Sequence, residues 1–300
     1  MKTLSKPQAP ILSAVAAAAA LACIGGLALS AATPDTDATA PAPIASTAAP
    51  SPSTTVPETP TPVLVPSAAQ LEALPEARYD AVIAGLLPFD GTLASDASAS
   101  VYRLADDLAL YGEDRVEPVA RLAAWDFTAE QTVTVAAAVD GEWTLVLTPA
   151  RQSLPSQNGG TAPAQSAAWV LTTDLPAPET VEAHVTASIS DQTVTVRNGD
   201  SVETYSAAVG RAGTPTPTGT GYLEARFSDP SQANGEPIQL TSLHSAVADE
   251  PYRGDDGGLI AIHWSENTVG ASSHGCVRVD TQALTALSGL PTGTPITITD

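Results

Sequence analysis

Hydrophobic and polar positions alternate with different periods in successive stretches of the chain. Apolar residues run almost unbroken from Ile11 to Ala32, behind the chain's only two lysines, Lys2 and Lys6. A basic tip before an apolar run is the order of a secretory leader, and this run is also just long enough to span a bilayer. Residues 1–32 are therefore expected to be a signal peptide or a membrane anchor, with small residues at Ala28, Ser30 and Ala32 as cleavage points. From 33 to 67 the residues are mostly Ala, Pro, Thr and Ser, with no aromatic residue and no glycine. Such a composition buries no core and favours extended conformations, which reads as a linker with a reach on the order of 100 Å. Between 68 and 118 the apolar spacing turns to three and four positions (Leu71, Leu74, Tyr79, Val82, Ile83, Leu86, then Val101, Leu104, Leu108), which predicts a helical segment.

Beyond 118 the period shortens to two. Thr132–Val135, Trp143–Leu147 and Ala168–Leu171, with turn signals at Asp140-Gly141 and Asn158-Gly159-Gly160, predict a small β domain over 119–178. Alternation continues through Val181–Ile189, Thr193–Val196, the Asn198-Gly199 turn, Ser201–Val209 and Pro295–Thr299, interrupted by one short helix, Thr281–Ser288. Residues 179–300 then form a second β domain, and the predicted fold class is mainly β.

Composition narrows the function classes. Of 300 residues, 12 are basic and 33 acidic, a net charge of -21, which disfavours nucleic acid because a phosphate backbone needs a basic face. There are two cysteines, Cys23 in the apolar run and Cys276 near the C-terminus, so no disulfide is expected within the folded part. In an oxidising compartment a lone thiol is either buried and inert or retained for its reactivity.

All four histidines (His184, His244, His263 and His274) fall in the last stretch together with that thiol. Leu259-Ile260-Ala261-Ile262-His263 reads as a buried strand ending in a histidine, and Ser272-Ser273-His274-Gly275-Cys276-Val277-Arg278-Val279-Asp280 as a loop entering a second strand. A thiol whose free pKa is about 8.5 needs a base or a positive field to become a thiolate at neutral pH, and a histidine supplies either. Gly275 lets the backbone approach a reacting carbonyl, so the amides of Gly275 and Cys276 are candidate oxyanion donors. His184 and His244 read as surface or core histidines. Zinc on His263, His274 and Cys276 is disfavoured, since alternate residues of one short segment make a poor ligand set and no CxxC partner exists. Neither a metal nor a cofactor is expected.

These residues resemble a known family, the L,D-transpeptidases with a YkuD-type catalytic domain. The resemblance rests on a strand-borne histidine followed by Ser273-His274-Gly275-Cys276-Val277-Arg278, and upstream on Val209-Gly210-Arg211 and Thr214-Pro215-Thr216-Pro217-Thr218-Gly219-Thr220. It covers roughly the last 120 residues, and the Trp143 and Trp169 region is similar to the small SH3-like β domain of actinobacterial members. The resemblance implies a YkuD-type β-sandwich over 179–300, preceded by an SH3-like domain and a short helical segment. It implies Cys276 as nucleophile, His263 as general base and His274 as a further catalytic residue. Ser273, Gly275, Arg278 and, as lid tyrosine, Tyr252 would bind substrate, with Tyr222 a poorer candidate for the lid. Two departures stand out: the spacing from His263 to Cys276 is short for the family, and Trp264 stands where glycine is common.

The implied activity is 3→3 cross-linking of peptidoglycan stem peptides at the cell wall or the outer face of the cytoplasmic membrane. Carbapenem-type compounds are the implied inhibitors, and the N-terminal segment is the only implied contact with the membrane. Water as acceptor would make an L,D-carboxypeptidase. A wall-binding protein of weak activity is the rival from another class. A papain-like wall endopeptidase is disfavoured because its cysteine precedes its histidine.

Overall fold

Runs of β-branched and apolar residues become strands over most of the chain, because side chains that alternate across a pleated sheet bury one face and wet the other. The computed structural model describes residues 62–93, 98–249 and 258–300. The apolar run Ile11–Ala32, most of the linker and Tyr252 lie outside the described residues.

Helix α1 (Ala68–Glu72) is followed by β1 (Leu87–Phe89), β2 (Ala99–Arg103), β3 (Leu108–Tyr111), β4 (Pro118–Leu122), β5 (Val133–Asp140), β6 (Trp143–Thr148), β7 (Gln165–Leu171) and β8 (Glu179–Val181). They form one antiparallel sheet in the order β4-β3-β7-β6-β5-β2-β8, with β1 added along β7. Then come β9 (His184–Ser188), β10 (Thr193–Asn198), β11 (Ser201–Ser206), β12 (Val209–Gly210), β13 (Gly219–Ser228), β14 (Pro237–His244), β15 (Leu259–Trp264), β16 (Ala271–Ser273), β17 (Val277–Val279), α2 (Thr281–Ser288) and β18 (Pro295–Thr299). The second sheet runs β11-β10-β9-β18-β13-β14-β15-β17, with β18 parallel to β9 and β17 parallel to β15. Strands β12 and β16 make a separate parallel pair.

One core serves both sheets. Val101, Val133, Val135 and Leu147 of the first pack with Tyr222, Leu243, Ile260, Ile262, Val277 and Ile296 of the second, and α2 adds Ala283, Leu284 and Leu287. Residues Glu58–Asp300 form one compact unit. Helix α2 begins at an Asp280 side chain that accepts a hydrogen bond from the Ala283 amide at 2.9 Å, an N-cap on a helix that buries Ala283, Leu284 and Leu287.

The fold is mainly β, as the alternation implies, but the helical reading of residues 68–118 holds only for α1. Val101 and Leu108 lie on β2 and β3 of the first sheet, and the stretch from Pro75 to Leu86 is irregular chain laid against it. The Ala77 amide donates to the Arg121 carbonyl at 2.7 Å, the Arg121 amide to the Pro75 carbonyl at 2.9 Å, and the Ile83 amide to the Arg151 carbonyl at 2.8 Å. Pro75 blocks continuation of α1, and Ala77, Ile83 and Leu86 find their burial against Leu104, Leu108 and Leu110. A spacing of three to four arises equally where a chain turns between two strands, as it does between Val101 on β2 and Leu108 on β3. Tyr222 is fully buried in β13 and forms no part of a lid. The first sheet also extends past residue 178, since β8 pairs with β2.

Candidate active site

The thiol and the imidazole singled out in the sequence reach one cavity. Strand alternation explains how: Ile260 and Ile262 of β15 turn into the shared core, which leaves Leu259, Ala261 and His263 on the other face. Those three residues line a cavity of about 240 Å³ with Ile238 and Leu240 of β14, Phe227 of β13, Gln232 and Ala233 of the turn between β13 and β14, and Cys276. Tyr79 and Phe127, from the part of the chain that builds the first sheet, complete the lining. Cys276 enters from the loop before β17, whose parallel register sets Val277 against Ile262 and Arg278 against His263.

One imidazole nitrogen is fixed by the backbone. Its Nδ1 lies 2.8 Å from the Trp264 carbonyl oxygen, and because a carbonyl only accepts, Nδ1 carries the proton and Nε2 keeps a lone pair. Burial lowers the pKa of His263, the Arg278 charge lowers it further, and the Trp264 carbonyl opposes both. The ring is therefore neutral at pH 7. Trp264 contributes through its backbone, so the residue that departs from the family's glycine keeps the needed acceptor.

The loop carrying the thiol is held by hydroxyls. Ser273 Oγ donates to the Cys276 carbonyl at 2.6 Å and accepts from the Gly275 amide at 3.1 Å. Thr216 Oγ1 donates to the Gly275 carbonyl at 2.7 Å and accepts from the Gly210 amide at 2.8 Å. The Arg211 amide and Thr214 Oγ1 both donate to the Ser273 carbonyl, at 3.1 and 3.3 Å. Gly275 has φ +124, and a Cβ there would meet Ile260 Cδ1 at 2.9 Å, so the backbone must be glycine to bring the thiol over β15. Gly210 is fixed by contact instead, since a Cβ would lie 2.3 Å from the Thr214 carbonyl oxygen.

Not all the expected site residues converge. His274 accepts a hydrogen bond from the Arg211 guanidinium on Nε2 at 2.8 Å and does not line the cavity. Ser273, Gly275 and Arg278 also stand behind or beside the thiol rather than in the lining. The Gly275 amide is engaged by Ser273, so it is not available as the oxyanion donor proposed from the sequence. His184 and His244 are core histidines: His184 Nε2 meets Thr297 Oγ1 at 3.1 Å, and His244 Nε2 donates to the Tyr79 carbonyl at 2.9 Å. Among the described residues no cluster of three or more His, Cys, Asp or Glu side chains is placed to hold a metal ion. Sequence reasoning missed Thr216 as a clamp, although it lay inside the Thr-Pro-Thr-Gly element. It also missed Tyr79 and Phe127, which no local pattern marks.

Comparison with known proteins agrees with the site. The pattern of the YkuD family, an L,D-transpeptidase catalytic domain, matches residues 182–298. The YkuD protein of Bacillus subtilis (strain 168) is 32% identical over 152 residues, which cover 49% of this chain and 82% of that protein. Among solved structures, the L,D-transpeptidase (Yku) from Stackebrandtia nassauensis aligns at 17% identity and a TM-score of 0.29, over 39% of this chain and 55% of that one. An L,D-transpeptidase from Mycobacterium smegmatis aligns at 16% identity and a TM-score of 0.30, over 55% of this chain and 95% of that one. With about a third of its residues shared along most of the Bacillus protein, and with His263 and Cys276 both inside the matched 182–298 span, the chain belongs to the YkuD family of L,D-transpeptidases.

Proposed function

We propose that this chain is an exported peptidoglycan L,D-transpeptidase that works through a thioester on Cys276. The observation that carries the reading is the placement of Cys276 and His263 in one largely apolar cavity, with His263 Nδ1 tied to a carbonyl so that Nε2 is the basic nitrogen. Nε2 takes the thiol proton, and the thiolate attacks the carbonyl of the third residue of a stem tetrapeptide. The bond to the terminal D-Ala breaks, and its nitrogen leaves with a proton returned by the imidazolium. The side-chain amine of a neighbouring stem then attacks the thioester, releases the thiol and closes a 3→3 cross-link. Ser273, Thr216 and Gly275 position the thiol, while Arg211 fixes His274 on the outer side of the loop.

The same chemistry makes carbapenem-type β-lactams suitable inhibitors, since a thiolate opens the strained ring to a stable acyl-enzyme. Export is supported by Lys2 and Lys6 ahead of the Ile11–Ala32 run, and the Pro- and Ala-rich stretch after it suits a tether. Among the described residues no helix is long and apolar enough to cross a membrane. The test is the mass of the intact protein after incubation with a carbapenem. A single adduct mapped to Cys276 supports the reading, and an unmodified Cys276 in folded protein favours a wall-binding role instead.

A further inference from the structure

The cavity at the thiol is closed by residues that do not belong to the matched catalytic region. Tyr79 lies on the strap before β1 and Phe127 on the turn between β4 and β5, both outside residues 182–298, yet both line the cavity with Cys276 and His263. They form a continuous aromatic wall: the Tyr79 and Phe127 rings lie 4.6 Å apart between centroids, and Phe127 meets Phe227 edge-on at 5.5 Å. The wall is held in place through the backbone, because the Tyr79 carbonyl accepts from buried His244 on β14 and the Ala81 carbonyl accepts from the Arg151 amide.

The lining contains no Asp, Glu, Lys or Arg. A cavity of about 240 Å³ is slightly smaller than the ~300–1,000 Å³ of whole small-molecule sites, so it takes a fragment of a stem peptide and not all of it. An uncharged aromatic lining matches the alkyl and amide portion of the donor beside the scissile carbonyl and disfavours its charged ends. Phe127 is 40% exposed although it contacts two other rings, the state of a side chain whose remaining face is open to a ligand.

We propose that Tyr79 and Phe127 are specificity-determining residues, which pack against the uncharged part of the acyl donor next to its scissile carbonyl. Part of the donor subsite is then supplied from outside the catalytic-domain region. The inference rests on the acyl-transfer reading of Cys276 given above.

Two reactions of the full chain separate positioning from reactivity. Alkylation of Cys276 by iodoacetamide needs only an accessible thiolate, whereas release of D-Ala from a stem tetrapeptide needs the donor seated. Phe127→Ala and Tyr79→Ala are expected to keep the alkylation rate within about twofold of the parent. Both should lower kcat/KM for D-Ala release at least about tenfold, mainly through KM, as loss of an aromatic contact does. Tyr79→Phe should retain parental kcat/KM, because the ring and not the hydroxyl makes the wall. If the parent releases D-Ala and the alanine variants match it, the inference is overturned while the acyl-transfer reading stands. Equal loss of alkylation and release also overturns it, since the residues would then be acting on the fold or the thiol. If the parent alkylates yet releases no D-Ala, the acyl-transfer reading itself fails and carries the inference with it.

Discussion

The Nε2 of His244, on β14, donates to the backbone carbonyl of Tyr79 at 2.9 Å, so a buried neutral imidazole fastens the strap before β1 to the second sheet. Burial depresses the pKa of His244 to about 4, the Arg151 charge adds to this, and hydrogen bonds with the Tyr79 and Ser242 backbones oppose it. The unfolded chain takes up this proton near pH 6.5, before the folded one does. Stability from this group is therefore present above about pH 6.5 and lost as pH falls toward 4, by on the order of a few kcal/mol. His244→Gln keeps a donor near the Nε2 position and removes the titration. Thermal unfolding followed from pH 7 to 4.5 should show a shallower fall in Tm for the variant than for the parent. Parallel curves would mean that folding does not shift the pKa of His244.

The pKa of His263, the proposed base, is lowered by burial and further by the Arg278 charge, against the Trp264 carbonyl. The acid limb of kcat/KM should accordingly have its midpoint below the ordinary histidine value of about 6.5. Arg278→Gln removes the charge paired across the parallel register from His263, so the limb should move upward toward that value. An unchanged limb in this variant would show that Arg278 acts on the loop alone.

Thr216 joins the two glycine-containing turns that frame the thiol loop. Thr216→Val preserves shape but leaves the Gly275 carbonyl and the Gly210 amide without their partner, at a cost of roughly 1–3 kcal/mol for each group that stays buried and unsatisfied. Tm should fall and Cys276 acylation should slow, while Thr216→Ser should restore both. A valine variant with parental Tm and acylation rate would remove Thr216 from the positioning set.

Much of the site was readable because its parts are local. Ser273-His274-Gly275-Cys276 closes on itself through Ser273, and the period-two pattern of Leu259 to His263 fixes which side chains face away from the core. Helix α2 was legible for the same reason, with an Asp280 cap and three apolar residues on one face. The rest of residues 68–118 was not, because the stretch from Pro75 to Ile83 bonds to Arg121 and Arg151, β1 and β2 pair with β7, β5 and β8 far along the chain, and apolar spacing alone does not distinguish a helix from chain crossing a sheet. Gly275 misled for a related reason: its freedom at positive φ was visible, but the Ser273 hydroxyl that occupies its amide was not. Tyr79 and Phe127 reach the cavity through contacts with residues a hundred or more positions away, for which a single sequence holds no periodic signal.

Whether Cys276 is the nucleophile is tested most directly by D-Ala release from a stem tetrapeptide by Cys276→Ser, measured beside the parent at equal concentration. Serine changes little in volume, so the variant should unfold at the parental temperature. Its hydroxyl has a far higher pKa than a thiol and is poorly activated by the same imidazole, so release should fall at least ~100-fold. A Cys276→Ser protein that unfolds like the parent and still releases D-Ala at a comparable rate would contradict the account, because the acyl group would then be carried by some atom other than the Cys276 sulfur.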